Sequence, residues 1–137
     1  MNQDLDLLKK IQRKEQSKKR LLIDTSIVSN NAFYNKLTKN DWFNNSKIVA
    51  SFLSIKSEIS TDAFNQYLLS LGKILCLPII ENNEEILKFK RYCTGDELKK
   101  GKFGVREPVN SSTYLPDIIF VPCLAFDESG FRLGYGG

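Results

Sequence analysis

The sequence predicts an α/β fold built on a largely parallel, mixed sheet, and three stretches predict it. KIVASFL (47–53) is a β-rich run, SEISTDAFNQYLLSLGK carries helical spacing, and KILCLPII (73–80) is a continuous apolar strand. Strand, helix and strand in that order make a β-α-β unit, with parallel strands, a right-handed crossover and a sheet covered on both faces. A further apolar run, PDIIFVP (116–122), reads as a strand buried by composition.

Taken in order, residues 3–20 hold no Gly or Pro and are rich in Leu, Lys, Gln and Glu, which predicts a basic helix. Leu5, Leu8 and Ile11 lie three apart and give it an apolar face to turn toward the protein. A second helix is expected over 25–39. In the β-α-β unit, Ser60 or Thr61 is the N-cap, Phe64, Leu68 and Leu71 share one helical face, and Gly72 stands at C′. The turn ENNE (81–84) leads to EILKFKRY (85–92), whose alternation suits an edge strand. TGDELKKGKFGVREPVNSSTYLP is rich in Gly, Pro and polar residues and reads mainly as loop. The 137 residues are the length of one domain.

Composition narrows the chemistry. With 42% hydrophobic and 26% charged residues the chain is that of an ordinary globular protein. No apolar run approaches a membrane span and the N-terminus lacks a signal peptide's apolar stretch, so a cytoplasmic protein is expected. Cys76, Cys93 and Cys123 are odd in number and widely spaced, as reduced structural thiols are. Histidine is absent, so chemistry must run on carboxylates, Lys, Arg, Tyr and backbone, or on nucleophiles of the substrate. The net charge of +4 is carried by residues 1–20, where seven bases face three acids.

Ligands of open α/β sheets gather beyond the carboxyl ends of the strands. LSIKSEIST and AFDESGFRLGYGG both follow strands and open toward one crevice. The glycines of GFRLGYGG let backbone N–H groups converge on an anion, with Arg132 adding a fork; a flexible tail is the plainer reading. Glu58 can accept hydrogen bonds from a ligand's amide or amino groups, or can stand as an acid in a helical first turn. Asp127 and Glu128 offer either a weak metal pair or turn chemistry. The basic helix suits nucleic acid, a nucleotide's phosphates, or plain solvation; only Tyr34, Trp42 and Phe43 lie near it in sequence as stacking partners, so the interleaved aromatics of a single-strand binder are missing.

The order SFLSIKSEIST, LGKILCLP, GDELKKGKFGVREP and PDIIFVPCLAFDESGFRLGYGG resembles the 5-formyltetrahydrofolate cyclo-ligase family, from about Lys9 to Gly137. The resemblance implies a three-layer α/β/α sandwich of Rossmann-like type. It also implies ATP- and Mg²⁺-dependent closure of 5-formyltetrahydrofolate to 5,10-methenyltetrahydrofolate, with release of ADP and phosphate. In the mechanism it brings, the formyl oxygen attacks the γ-phosphate, N10 closes on the activated carbon, and phosphate leaves. Such chemistry asks the protein for positioning and charge stabilisation rather than a nucleophile.

Carried over, the resemblance gives an ATP contact at Lys9 and Arg13, with Lys10 the adjacent alternative. It gives folate contacts at Leu53 and Glu58, and a nucleotide loop at Arg132, Leu133, Gly134, Tyr135, Gly136 and Gly137. Arg132 and Tyr135 are the catalytic candidates, and Tyr135 is also placed to meet substrate. The family's loop continues into an Asp that serves the metal, which lies beyond Gly137; the resemblance therefore implies a chain missing its C-terminal part and no metal ligand among these residues. Substrate and ATP are the partners implied, with neither nucleic acid nor membrane, on a monomer whose uncovered apolar surface favours self-association. The rival reading is an inactive homologue that holds folate or nucleotide.

Overall fold

The computed structural model describes residues 2–24, 30–81, 86–109 and 112–135. The segments 25–29 and 82–85, which include the start of the expected second helix and most of the ENNE turn, lie outside them, as do Gly136 and Gly137. The described elements are helices α1 (Asn2–Leu21), α2 (Asn30–Thr38), α3 (Asp41–Asn45) and α4 (Asp62–Ser70), with strands β1 (Ile48–Ala50), β2 (Ile74–Ile79), β3 (Lys88–Arg91), β4 (Leu98–Lys100), β5 (Arg106–Pro108), β6 (Ile118–Ile119), β7 (Ala125–Phe126) and β8 (Arg132–Leu133).

The predicted α/β class is observed. The main sheet has the order β3-β2-β1-β6, with β1 parallel to both β2 and β6 and β3 antiparallel at the edge. Continuous apolar sequence in β2 matches its burial, where Leu75, Cys76 and Leu77 are at most 1% exposed. Burial pushes the Cys76 thiol up to about 11, and all three cysteines are free. Gly72 supplies the turn out of α4 at φ +74°, a conformation glycine adopts without strain.

Val49 and Leu75 pair in register and form the core with Leu37, Phe43 and Leu68. Phe64, Tyr67 and Phe120 pack around it. The rings of Tyr34 and Tyr67 stack at 4.1 Å, and Phe64 meets Phe120 edge-on at 4.9 Å. Of the three aromatics near the basic helix, Tyr34 is thus committed to Tyr67 and Phe43 is fully buried, while Trp42 stays exposed. Asp117 pins the start of β1: its carboxylate accepts the N–H groups of Lys47 and Ile48 at 2.8 and 2.9 Å, which holds its pKa below the usual range.

Three expectations are corrected. Leu5, Leu8 and Ile11 do not pack against the protein; each is about half exposed, and α1 buries no residue. The helix is held instead along the stripe of Arg13 and Arg20, which lies off that apolar arc at 100° per residue. Leu71 is also half exposed, because α4 ends at Ser70 and leaves it at the cap. The PDIIFVP run is not a buried strand: β6 is a sheet edge, and Ile119 and Val121 are nearly half exposed. The polar stretch after residue 92 is mainly loop as expected, and within it the short strands β4 and β5 form an antiparallel hairpin.

That hairpin turns at Gly101, where a Cβ would collide with the Glu107 side chain. Glu107 in turn accepts the N–H of Ile80 at 3.2 Å and ties the hairpin to the end of β2.

Lys73, just before β2, closes the end of α3. Its ammonium donates to Phe43 O at 2.8 Å, to Ser46 O at 2.7 Å and to Ser46 Oγ at 3.1 Å, and burial lowers its pKa. These bonds satisfy carbonyls that a helix end leaves open. Lys73→Met should cost about 1–2 kcal/mol, the gain of charged hydrogen bonds less the relief of desolvation. Urea unfolding of the two proteins checks this; equal midpoints would show the three bonds to be energetically idle.

Candidate functional site

The carboxyl ends of β1, β2 and β6 open on a cleft of about 440 Å³. Its walls are mainly apolar, with Leu53, Pro78, Phe89, Val105, Ile119 and Val121 among them, and its charged members are Glu58 and Arg132. Leu53 is 9% exposed and fixed in the wall. Ser51, buried in the same wall, has a hydroxyl with no hydrogen-bond partner among the described residues. An apolar cavity with a few convergent polar groups is the usual form of a small-molecule site.

Glu58 sits in the turn between β1 and α4, four residues before the helix, so it is not a first-turn acid. Its Oε2 accepts the N–H of Ile55 at 2.8 Å, while its own N–H donates to Ile55 O at 3.1 Å. Lys56 inside this turn has φ +52°, a sparsely populated conformation for a residue with a side chain. Burial raises the Glu58 pKa, against the pull of the Ile55 N–H and of the Arg20 and Lys56 charges. One carboxylate oxygen remains to receive a ligand's N–H groups.

A second cleft, about 400 Å³, lies between α1 and the β7–β8 hairpin and is lined by Lys9, Gln12, Gln16, Asp127, Arg132 and Leu133, among others. Arg13 Nε donates to Gly134 O at 3.0 Å, so the helix is bonded to the glycine loop. Lys9 lines this cleft and Lys10 does not. Arg132 lines both clefts, so one guanidinium joins the apolar, acid-bearing cavity to the polar one, where Lys9 and Arg132 face Glu15 and Asp127.

Asp127 resolves as turn chemistry. Its Oδ1 accepts the N–H groups of Ser129 at 2.9 Å and Phe131 at 3.0 Å, and Gly130 takes φ +85°. Among the described residues no group of three His, Cys, Asp or Glu side chains gathers to hold a metal. Asp127 is thus committed to its turn rather than free for a cation.

Sequence reasoning missed Arg20 as a brace of the loops around the site. Its guanidinium donates to Ser57 Oγ at 2.9 Å, to Cys123 O at 3.3 Å and to the Tyr135 hydroxyl. Lys56 lies over the Tyr135 ring at 4.5 Å. The available signal was spacing: Arg20 follows Arg13 by seven residues, two helical turns on the same stripe.

A family model described as the 5-formyltetrahydrofolate cyclo-ligase family matches residues 6–137. The chain belongs to this family. Within it, the 5-formyltetrahydrofolate cyclo-ligase of Haemophilus influenzae is 39% identical over 97 residues, covering 66% of this chain and 52% of the relative. The mouse cyclo-ligase is 26% identical over 140 residues, covering 94% and 64%. The structure of Aquifex aeolicus 5,10-methenyltetrahydrofolate synthetase superposes with a TM-score of 0.77 at 32% identity, over 95% of this chain and 68% of that one. The chain thus spans between half and two thirds of the length of these curated relatives. No described helix is long and apolar enough to cross a membrane.

Proposed function

We propose that the chain carries the folate- and nucleotide-binding part of an ATP-dependent 5-formyltetrahydrofolate cyclo-ligase, forming 5,10-methenyltetrahydrofolate with release of ADP and phosphate. The observation that carries this reading is Arg132, shared by an apolar cleft with a carboxylate and a polar cleft that also holds Lys9, beside the loop Arg13 bonds at Gly134. The apolar walls suit the fused ring and benzoyl group of a folate, and Glu58 suits the amino and amide N–H edge of its pterin. Lys9 and Arg132 suit the phosphates of ATP, with Arg13 holding the loop that closes on them.

Bound ATP supplies the phosphoryl group that makes the formyl oxygen a leaving group. The residues' part is positioning and charge: Glu58 and Leu53 orient the folate, and Arg132 stands at the junction where negative charge moves from one ligand to the other. With the reading go a cytoplasmic location, a monomer, and Mg²⁺ as the nucleotide's counter-ion.

The test is to incubate the purified protein with ATP, Mg²⁺ and 5-formyltetrahydrofolate, follow the methenyl product by absorbance, and titrate each ligand by calorimetry. Turnover that Arg132→Met reduces by about 10²-fold or more supports the full reading. Binding of both ligands without turnover favours the holding module. Binding of neither removes the proposal.

A further inference from the structure

We infer that Arg20 is a positioning residue that couples occupancy of the two clefts. The inference rests on the reading of the apolar, acid-bearing cleft as the folate site and the polar cleft between α1 and the β7–β8 hairpin as the nucleotide site. Arg20 stands in the last turn of α1, and its donors go to three separate segments: Ser57 beside Glu58, the Cys123 carbonyl before β7, and the Tyr135 hydroxyl one residue past Gly134. Tyr135 is also gripped through its ring, with the Arg20 guanidinium 5.4 Å and the Lys56 ammonium 4.5 Å from the centroid. Two residues of one helical stripe therefore hold both loops, Arg13 at Gly134 and Arg20 at Tyr135 and Ser57.

The chemistry of the fork decides what this does. A guanidinium places planar donors in fixed directions, so Ser57 and Tyr135 cannot shift independently while both are bonded to it. Lysine offers the same charge without that geometry. A folate that orders the Ile55–Glu58 turn through Glu58 thereby fixes Ser57, Arg20 and the Tyr135 loop. The nucleotide then meets a loop already ordered, which is positive coupling without a large structural change. Linkage makes the effect reciprocal, so the nucleotide must favour the folate by the same factor.

Calorimetry tests this on the wild-type chain, Arg20→Lys and Arg20→Met. The probes are 5-formyltetrahydrofolate and a non-hydrolysable ATP analogue with Mg²⁺, each titrated alone and in the presence of the other at saturation. The wild type is expected to show mutual tightening of about fivefold or more. Arg20→Lys keeps a charge beside Glu58, so its single-ligand affinities should move by less than about threefold while the coupling factor falls to about one. Arg20→Met should lose the coupling as well. Tyr135→Phe, which removes one acceptor and no charge, should lose most of the coupling in a protein that melts like the wild type.

Unchanged coupling in both Arg20 variants overturns the inference and leaves the two sites standing. Failure of the wild type to bind either ligand removes the functional reading and the inference with it. Loss of thermal stability in the Arg20 variants, together with full coupling in Tyr135→Phe, makes Arg20 a residue of the fold alone and also overturns it.

Discussion

Glu58→Gln is expected to weaken 5-formyltetrahydrofolate binding by about 10- to 100-fold, the range set by losing a charged hydrogen-bond acceptor. Stability at neutral pH should hold or rise slightly. The folded Glu58 carboxyl is raised above its ordinary value by burial. A raised carboxyl contributes stability that is present below the unfolded pKa and is lost as pH rises through the folded pKa. At neutral pH the ionised group is therefore a cost, offset by the Ile55 N–H and the Arg20 and Lys56 charges. Glutamine keeps an oxygen for Ile55 and removes the ionisation, so the acid-side change in stability should flatten.

Ligand binding has the opposite sign. Folate's N–H groups need the ionised carboxylate, so wild-type affinity should fall as pH drops through the raised Glu58 pKa. The Gln variant should be weaker and flat. Calorimetry at neutral and mildly acidic pH, beside thermal melts, separates the two roles. A variant that binds folate like the wild type but melts lower would make Glu58 a brace of the 55–58 turn.

The β-α-β unit was legible because its signals are local: apolar runs of strand length, one helical face with Leu68 in the core, and Gly72 at the turn. The β4–β5 hairpin was not, since its stability comes from a distant contact, Glu107 reaching the N–H of Ile80, and its own residues read as polar loop. The face of α1 was misread for a related reason. Leucine spacing names an apolar arc, yet the helix docks by hydrogen bonds from Arg13 and Arg20 to loops more than a hundred residues away. Seven bases in one run look equivalent until docking selects among them. Leu53 and Glu58 entered through ordered motifs and do share the cleft. Choosing between turn and metal readings of Asp127 required the N–H groups of Ser129 and Phe131 to be placed.

Phe43→Ala is expected to cost about 3–5 kcal/mol, the range for emptying a buried aromatic site. Against the ~5–15 kcal/mol that holds a domain of this size, that leaves the fold marginal. Phe43 is fully buried although α3 has only five residues, because the ring fills the space between α2 and the sheet among Leu37, Val49, Leu68 and Leu75. Its ring also carries the Lys73 ammonium at 4.6 Å and meets Trp42 edge-on at 6.3 Å. Phe43→Leu keeps apolar contact and should cost about 1.5 kcal/mol or less. Trp42, the single tryptophan and adjacent to the lesion, reports the event by fluorescence, with far-UV circular dichroism following the whole chain through the same urea titration. Because Lys73 bonds the Phe43 carbonyl and covers its ring, the double change with Lys73→Met should cost less than the two single changes together, by about 0.5 kcal/mol or more. Strict additivity would show that ring and ammonium act separately, and a Phe43→Ala cost under about 1 kcal/mol would move the centre of the core away from the β1–β2 pair that carries the cleft.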